Sequence, residues 1–368
     1  MPSIAQQYPR TDFPADLECH PLLVVDYAKI KAGDQAEVDQ LYKACTNLGF
    51  FYLKNHGVED LTEPMFDMGK ATFDLPLDEL MPFEQGDSGR SAGYKAVGST
   101  NVDARGNLDQ VEFINVAKDD ALAYPEVRQC TYPRSVVERM ATVTDFIRTS
   151  NDVLQTLMNV LEPRIGLPAG TLAALHKEGD LSGSESRVIL KGPPSEASQQ
   201  AAGVDEDGNP AAAIGSHTDF GSFSMLHGRG CGGLQVLPPG TTKWQNIRPL
   251  PGHAVCNVGD TLKVYSGGIF NSNIHRVVPP PPPQNRYERW SLVYFLRPGF
   301  DHPLKPLSDQ SEIIRKHAEN DPAMRALPQG ETAGSWFQRR IKLQRAANRT
   351  GPETWAASRG TEHAPAVA

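Results

Sequence analysis

Residues 288–297 read Glu288-Arg289-Trp290-Ser291-Leu292-Val293-Tyr294-Phe295-Leu296-Arg297, and such a run of aromatic and branched apolar residues is typical of a β-strand. Further short runs of this kind precede it, separated by turns, at residues 187–191, 216–220, 222–226, 233–237, 254–258 and 275–278. Strands at that spacing predict a jelly roll rather than a parallel sheet. Helical patterns lie on either side, so we expect a mainly β fold with flanking helices.

Side chains alternate between the two faces of the strand at 288–297, so that polar side chains lie on one face and apolar side chains suited to the core lie on the other. One face carries Arg289, Ser291, Val293 and Phe295, and the opposite face carries only large apolar or aromatic residues. A guanidinium binds a carboxylate through two parallel hydrogen bonds, and a hydroxyl two residues away can add a third. Arg289 and Ser291 therefore predict a site for one end of a dicarboxylic acid.

A metal site is predicted by His217-Thr218-Asp219 and the distant His275. Residues i and i+2 of a strand point to the same side, so His217 and Asp219 can reach one cation, with His275 on a neighbouring strand. Two imidazoles and one carboxylate on one face of an octahedron leave the other positions open, as in non-haem iron(II) enzymes that bind a cosubstrate and oxygen. Zinc is compatible with the same ligand types.

The chain resembles the iron(II)- and 2-oxoglutarate-dependent dioxygenases of the isopenicillin N synthase-like group, and looks closest to their fungal members. The resemblance covers roughly residues 21–300, and its motifs are residues 48–57, 217–222, 233–236, 257–260, 275–277 and 289–295. It implies a double-stranded β-helix, which is a distorted, cupin-like jelly roll. It also implies His217, Asp219 and His275 as catalytic iron(II) ligands, 2-oxoglutarate and O2 as cosubstrates, and ascorbate as a candidate reductant.

One departure from the family pattern lies on the strand at residues 187–191. Family members often carry an Asn-x-Tyr pair there, whose hydroxyl helps to bind 2-oxoglutarate, whereas this chain has Ile189 and Lys191. Lys191 is a candidate cofactor-binding residue in place of that hydroxyl. Binding of an anionic substrate and pairing with a nearby carboxylate are the alternatives.

Aromatic side chains near the predicted metal site are candidates for substrate contact, although aromatics in a β-rich domain more often belong to the core. The candidate substrate-binding residues are Phe113, Phe220, Phe223, Tyr265 and Phe295.

The chain of 368 residues is interpreted as one structural unit with three regions. Residues 1–180 form a mixed α/β region that packs on the barrel, residues 181–300 form the oxygenase core, and residues 301–368 form a C-terminal helical extension. Ser195 to Ala213 is polar and rich in Gly, Ala and Asp, and predicts an exposed loop.

The amino-acid composition and charge limit the classes of molecule that we expect the protein to bind. A net charge of −8 without a basic block argues against nucleic acid and anionic membranes. Five scattered cysteines and the lack of a signal-peptide pattern favour the cytoplasm. We expect a small-molecule substrate and no obligate protein partner.

The expected function is oxidation of a small, largely apolar metabolite, by hydroxylation, desaturation or rearrangement, with release of succinate and CO2, in secondary metabolism. Two alternatives are a zinc-dependent hydrolase, which gives no reason for Arg289 and Ser291, and a non-catalytic ligand-binding or sensor protein on the same barrel.

Overall fold

The structure is a computed structural model that describes residues 12–192 and 212–361. Most of the predicted loop at Ser195 to Ala213 lies outside these residues. The strands are β1 Val24–Asp26, β2 Phe50–Lys54, β3 Gly93–Lys95, β4 Glu112–Ala117, β5 Glu185–Lys191, β6 Ile214–His217, β7 Phe223–Gly228, β8 Leu234–Val236, β9 Gln245–Asn246, β10 His253–Val258, β11 His275–Val277 and β12 Arg289–Leu296.

Helices flank these strands in all three predicted regions. They are α1 Tyr27–Lys31, α2 Gln35–Thr46, α3 Glu59–Phe73, α4 Leu77–Leu80, α5 Lys118–Ala123, α6 Arg134–Val137, α7 Met140–Leu161, α8 Thr171–Leu175, α9 Asp260–Tyr265, α10 Glu312–Asn320, α11 Pro322–Arg325, α12 Ala333–Gln344 and α13 Pro352–Ser358. No helix in the described ranges is long and apolar enough to cross a membrane.

Two sheets form the centre of the molecule. The major sheet has eight strands in the order β1-β2-β10-β7-β12-β5-β4-β3, and the minor sheet has four in the order β6-β11-β8-β9. The pairings within both are antiparallel except that of β1 with β2. This sheet-rich arrangement with flanking helices confirms the predicted fold class. The major sheet contains strands from both sides of residue 180, so the N-terminal region is continuous with the barrel.

The main core lies between the outer face of the major sheet and the helices. The long helix α7 buries an apolar face that includes Val143, Ile147, Leu154 and Leu161, at intervals that place them on one side of a helix. The apolar face of β12, with Trp290, Leu292, Tyr294 and Leu296, belongs to the same core. Its opposite face is therefore free to line an interior cavity.

Close approach of two chain segments explains one glycine in the family-like motif at residues 48–57. Gly49 ends the turn after α2 with φ +78° and precedes β2, and a Cβ atom at this position would collide with the backbone oxygen of Asn271. Only glycine combines this conformation with that contact at no steric cost. The contact fixes the start of β2 against the segment that leads to β11.

Candidate active site

The predicted metal ligands come together at one end of the minor sheet. His217 is the last residue of β6, and His275, the first residue of β11, is its direct antiparallel partner. Asp219 lies just beyond the end of β6, and not on the strand as the alternation argument assumed. The chain turns there and brings the carboxylate back to the two imidazoles, and the backbone N–H of Asp260 bonds the Asp219 carbonyl at 2.8 Å.

The spacing of the three side chains fits a single metal ion. Asp219 Oδ1 lies 3.7 Å from His217 Nε2 and 3.7 Å from His275 Nε2, and the three ligand atoms all lie within 4.8 Å of one another. Two atoms that each bind one ion at about 2.1 Å can be up to about 4.2 Å apart. Both distances to the carboxylate are within that limit.

Both imidazoles are oriented for metal binding through Nε2. Nδ1 of His217 donates to the carbonyl of Gly215 at 2.8 Å, and Nδ1 of His275 donates to the carbonyl of Asn273 at 3.2 Å. These bonds place the proton on Nδ1 and leave the Nε2 lone pair for a cation. Burial, together with His275 and Arg359, lowers the pKa of His217 to about 3, so the ring is neutral at pH 7.

The carboxylate of Asp219 is held by two side chains of the major sheet. Its Oδ2 accepts hydrogen bonds from Ser224 on β7 at 2.5 Å and from Asn257 on β10 at 2.8 Å. Burial alone favours the neutral acid, but both histidines and these two donors outweigh it and hold the pKa of Asp219 at about 2. Asp219 is therefore ionised, and hydrogen bonds to its second oxygen fix the orientation of the carboxylate.

Arg289 and Ser291 form a second polar group on β12. Arg289 Nη1 donates to Ser291 Oγ at 2.7 Å, and Nε donates to the carbonyl of Gly232 at 2.9 Å. These contacts hold the guanidinium rigidly and leave its Nη2 group to bind a carboxylate. Burial lowers the pKa of Arg289, and an anionic ligand would offset that cost.

The two polar groups share one cavity. Its lining includes the three metal-site residues, Arg289, Ser291 and the other two members of the same β12 face, Val293 and Phe295. The predicted alternation of β12 is thus confirmed, with one face in the cavity and the other in the core. A single small molecule in this cavity can therefore meet both the metal site and the guanidinium.

The five aromatic candidates divide into two groups. Phe113, Phe220 and Phe295 line the cavity. Phe223 and Tyr265 belong to the main core and have no exposed surface, which corrects the expectation of substrate contact. Phe223 precedes Ser224 on β7, so alternation directs it to the opposite face, where it meets Phe51 edge-on at 6.3 Å between ring centroids.

Lys191 lies opposite Arg289 in the pairing of β5 with β12. Its ammonium contacts the carbonyl of the adjacent Gly192, at 3.5 Å, and burial followed by the charge of Arg289 lowers its pKa. Within the described residues it is not among the side chains that line the cavity. Its role in cosubstrate binding stays a prediction.

Sequence reasoning missed the contribution of the C-terminal region. Arg340 on α12 forms an ion pair with Asp260, and both side chains are fully buried, although a Gly-Asp pair is commonly a turn. Thr218, between two metal-site residues, also donates to Asp260 at 3.0 Å. An uninterrupted helical pattern gives no signal of such a contact, because the partner lies 80 residues away.

Family models match two parts of the chain. Residues 22–139 match the "non-haem dioxygenase in morphine synthesis N-terminal" model. Residues 196–298 match the 2OG-Fe(II) oxygenase superfamily model, and this range contains the three metal-site residues together with Arg289 and Ser291.

Curated relatives agree with these matches. The chain is 30% identical over 281 residues to the 2-oxoglutarate-dependent dioxygenase frbH of Dothideomycetidae sp., covering 75% of this chain and 81% of the relative. It is 28% identical over 276 residues to a homoarginine-6-hydroxylase of Oryza sativa subsp. japonica, covering 73% and 80%.

A solved structure supports the fold. A 2OG-Fe(II) oxygenase family protein from Caulobacter crescentus has a TM-score of 0.69 at 23% identity, and the match covers 87% of this chain and 98% of that one. Together with the matched families and the relative frbH, this fold places the chain in the 2OG-Fe(II) oxygenase superfamily, as an oxidoreductase that uses iron(II), 2-oxoglutarate and O2.

Proposed function

We propose that this protein oxidises a small, largely apolar metabolite by hydroxylation, desaturation or rearrangement, with release of succinate and CO2. The observation that carries the proposal is the single cavity lined by the metal-site residues, by Arg289 and Ser291, and by an apolar wall. We further propose a role in secondary metabolism, in the cytoplasm. The two named relatives, a dioxygenase and an amino-acid hydroxylase, support oxidation of small molecules.

In this proposal the iron ligands are His217 Nε2, Asp219 Oδ1 and His275 Nε2. Bound iron(II), with 2-oxoglutarate and O2, supplies the oxidising chemistry that breaks an unactivated C–H bond. The protein keeps both imidazoles oriented through Nδ1 and holds Asp219 by its second oxygen, so that three ligand atoms remain in place. Because these three side chains line the cavity, they would hold the ion at its wall.

The proposed role of Arg289 and Ser291 is to bind the distal carboxylate of 2-oxoglutarate. The Arg289 guanidinium is already oriented by Ser291 and Gly232, so little side-chain entropy is lost when the acid binds. Lys191, opposite Arg289 on the paired strand, would add positive charge near that end of the cosubstrate.

The apolar wall would position the substrate and exclude water. It is formed by Phe113, Ile189, Ile214, Val293 and Phe295, which pack together as one cluster beside the metal site. Apolar surroundings favour an apolar substrate body and keep bulk water from the reacting centre. Phe113, Phe220 and Phe295 remain the proposed aromatic contacts.

The test is a screen of metabolites for stimulation of O2-dependent succinate release by the iron-loaded protein. We expect stimulation by compounds with an apolar body, and none without iron or with Asp219→Ala. His217→Ala should lose both iron retention and succinate formation. Iron and 2-oxoglutarate that fail to bind the wild-type protein in metal analysis and calorimetry would refute the proposal.

A further inference from the structure

The cavity has a C-terminal wall, formed by residues 341–359, which approaches the metal site from the side of α12 and α13. This wall supplies Ile341, Gln344, Arg345, Arg349, Trp355 and Arg359. The residues just outside both ends of the wall are fixed to Asp260, beside the metal-site turn: Arg340 by an ion pair and Thr361 by a 2.7 Å hydrogen bond. The wall is therefore part of the cavity and not a loose tail.

Among residues 12–192 and 212–361, positive charge dominates the lining of the cavity. Five arginines line it besides Arg289, namely Arg187, Arg297, Arg345, Arg349 and Arg359. The carboxylates that the described residues contribute to the lining are Asp219, which belongs to the metal site, and Asp109, which pairs with Lys95. Bound iron(II) and 2-oxoglutarate have opposite charges of equal size, so they leave this excess unchanged.

Carboxylates behind the lining compensate part of the excess. Glu185 lies 3.0 Å from Arg187 and 3.2 Å from Arg297. Arg345 contacts Glu84 at 2.6 Å and Asp87 at 2.8 Å. These three arginines are therefore held in structural ion pairs.

Arg349 differs from these three. Its Nη2 donates to the backbone carbonyl of Asp103 at 3.2 Å. Its Nε and Nη1 are buried and have no hydrogen-bond partner within residues 12–192 and 212–361. Arg345 Nη1 and Arg297 Nε, in the same lining, are also buried without an acceptor in these ranges. Buried donors without acceptors are rare in native proteins, and their concentration around one cavity indicates a missing acceptor.

The position of Arg349 is fixed by an aromatic ring. Its Cζ lies 3.8 Å from the centroid of the Trp355 ring, and Arg359 Cζ lies 4.8 Å from the same centroid. Burial and the charge of Arg359 lower the pKa of Arg349. Two cations on one ring repel each other, and an anion bound beside them would relieve that repulsion.

We propose that the substrate carries a carboxylate, which binds Arg349 on the C-terminal wall, while its apolar body lies against Phe113, Val293 and Phe295. The substrate class is thus a small organic acid with an apolar body. A carboxylate is a strong acceptor for a guanidinium N–H, and it would supply the hydrogen-bond acceptor that the buried Nε of Arg349 lacks. The inference rests on the proposed function, because it concerns the substrate of that same site.

The experiment uses matched pairs of apolar carboxylic acids and their primary amides. Binding to the full-length protein loaded with Mn(II) and 2-oxoglutarate is measured by calorimetry, and turnover of the iron-loaded protein by succinate release. We expect the compounds that stimulate turnover to be acids, with amides binding about tenfold to hundredfold more weakly. Arg349→Met should reduce the affinity for the acid by a similar factor. The dissociation constants of the acid and of its amide should therefore become more nearly equal in this variant.

Arg134→Met is the matched control, because its side chain is 89% exposed on α6 and lies outside the cavity lining. Thermal unfolding of both variants confirms that they are folded, and Arg349→Lys should recover part of the acid preference. Equal binding of acids and amides, neutral compounds as the only substrates, or an unchanged ratio in Arg349→Met would each overturn the inference. If the wild-type protein binds iron and 2-oxoglutarate, those outcomes refute only the carboxylate inference and not the proposed function. If the wild-type protein does not bind the cosubstrate, the proposed function itself is refuted.

Discussion

At the scale of single residues, the orientation of Asp219 depends on partners from another sheet. A carboxylate beyond the end of a strand has more conformational freedom than one on the strand, and Ser224 and Asn257 remove that freedom by bonding Oδ2. Oδ1 is left directed at the two histidines, 3.7 Å from each Nε2. The turn therefore brings the Asp219 carboxylate to the two histidines, as strand alternation was expected to do.

Replacing Asn257 by Ala should weaken metal binding. The change removes one of two hydrogen bonds to the second oxygen of Asp219, and loss of such an outer partner typically costs about tenfold to hundredfold in metal affinity. Competition titration with Mn(II) measures the effect. Ser150→Ala is the control, because Ser150 is also fully buried but lies on α7, and equal affinities for the two variants would remove the proposed role of Asn257.

Replacing Arg289 by Ala should weaken 2-oxoglutarate binding. The distal carboxylate would lose its charged partner in a buried site, at a cost of about 3 kcal/mol, or roughly a hundredfold in dissociation constant. Calorimetric titration of the Mn(II)-loaded protein measures the dissociation constant of 2-oxoglutarate. The value for Arg289→Lys should lie between those of the wild type and Arg289→Ala. A dissociation constant that stays at the wild-type value contradicts this role.

At the scale of secondary-structure elements, α12 is attached to the metal-site turn through one buried ion pair. Arg340 donates to Asp260, its Cζ lies 4.0 Å above the ring of Phe220, and Thr361 adds a 2.7 Å hydrogen bond to the same carboxylate. Asp260 is the first residue of α9 and closely follows β10, the strand that carries Asn257. The ion pair thus links the C-terminal wall to the elements that hold Asp219.

Arg340→Met should destabilise the protein by about 3–5 kcal/mol, because it leaves the Asp260 carboxylate buried without its counter-charge. The neighbouring Arg339 is the matched control: it is one-third exposed and pairs with Glu331, so Arg339→Met should cost no more than about 1 kcal/mol. Urea unfolding at pH 7 compares the two. If both variants lose a similar free energy of unfolding, the buried ion pair does not stabilise the protein more than the partly exposed one does.

At the scale of the whole molecule, buried neutral histidines make stability depend on pH. His176 joins α8 to the turn before β7, with bonds of 2.7 Å to the Leu172 carbonyl and 2.7 Å to Ser222 Oγ. Burial lowers its pKa from 6.5 to about 4. The unfolded chain therefore binds a proton that the folded protein excludes, and stability is lost as pH falls from 6.5 toward 4.

Protonation of His176 alone should lower the free energy of unfolding by on the order of 3 kcal/mol as the pH falls from 6.5 to 4. His176→Gln retains hydrogen-bonding groups but cannot titrate, so its stability should fall less steeply with acid. Urea unfolding of the metal-free protein at a series of pH values between 7 and 4 gives both slopes. Parallel curves for the variant and the wild type would contradict a buried neutral His176.

The sequence predicted local features better than long-range ones. The two faces of β12 were predicted correctly because alternation is a property of the strand itself. The six-residue strand β4 and the shorter β3 and β9 were not predicted, since such segments are defined mainly by the neighbours with which they pair. Phe223 and Tyr265 were misplaced for a related reason: an aromatic residue type does not specify which side of an element faces the core.

The amino-acid sequence by itself determined the family, the fold class and the residue types available for a metal and an acid, because motif order and strand periodicity are encoded locally. Only the tertiary structure decided that Asp219 lies on a turn beside the two histidines, that Asp260 is a buried partner of Arg340, and that Arg349 reaches the cavity. Each of those facts depends on segments far apart in the chain, and such contacts arise only when the sheets and the C-terminal helices pack together.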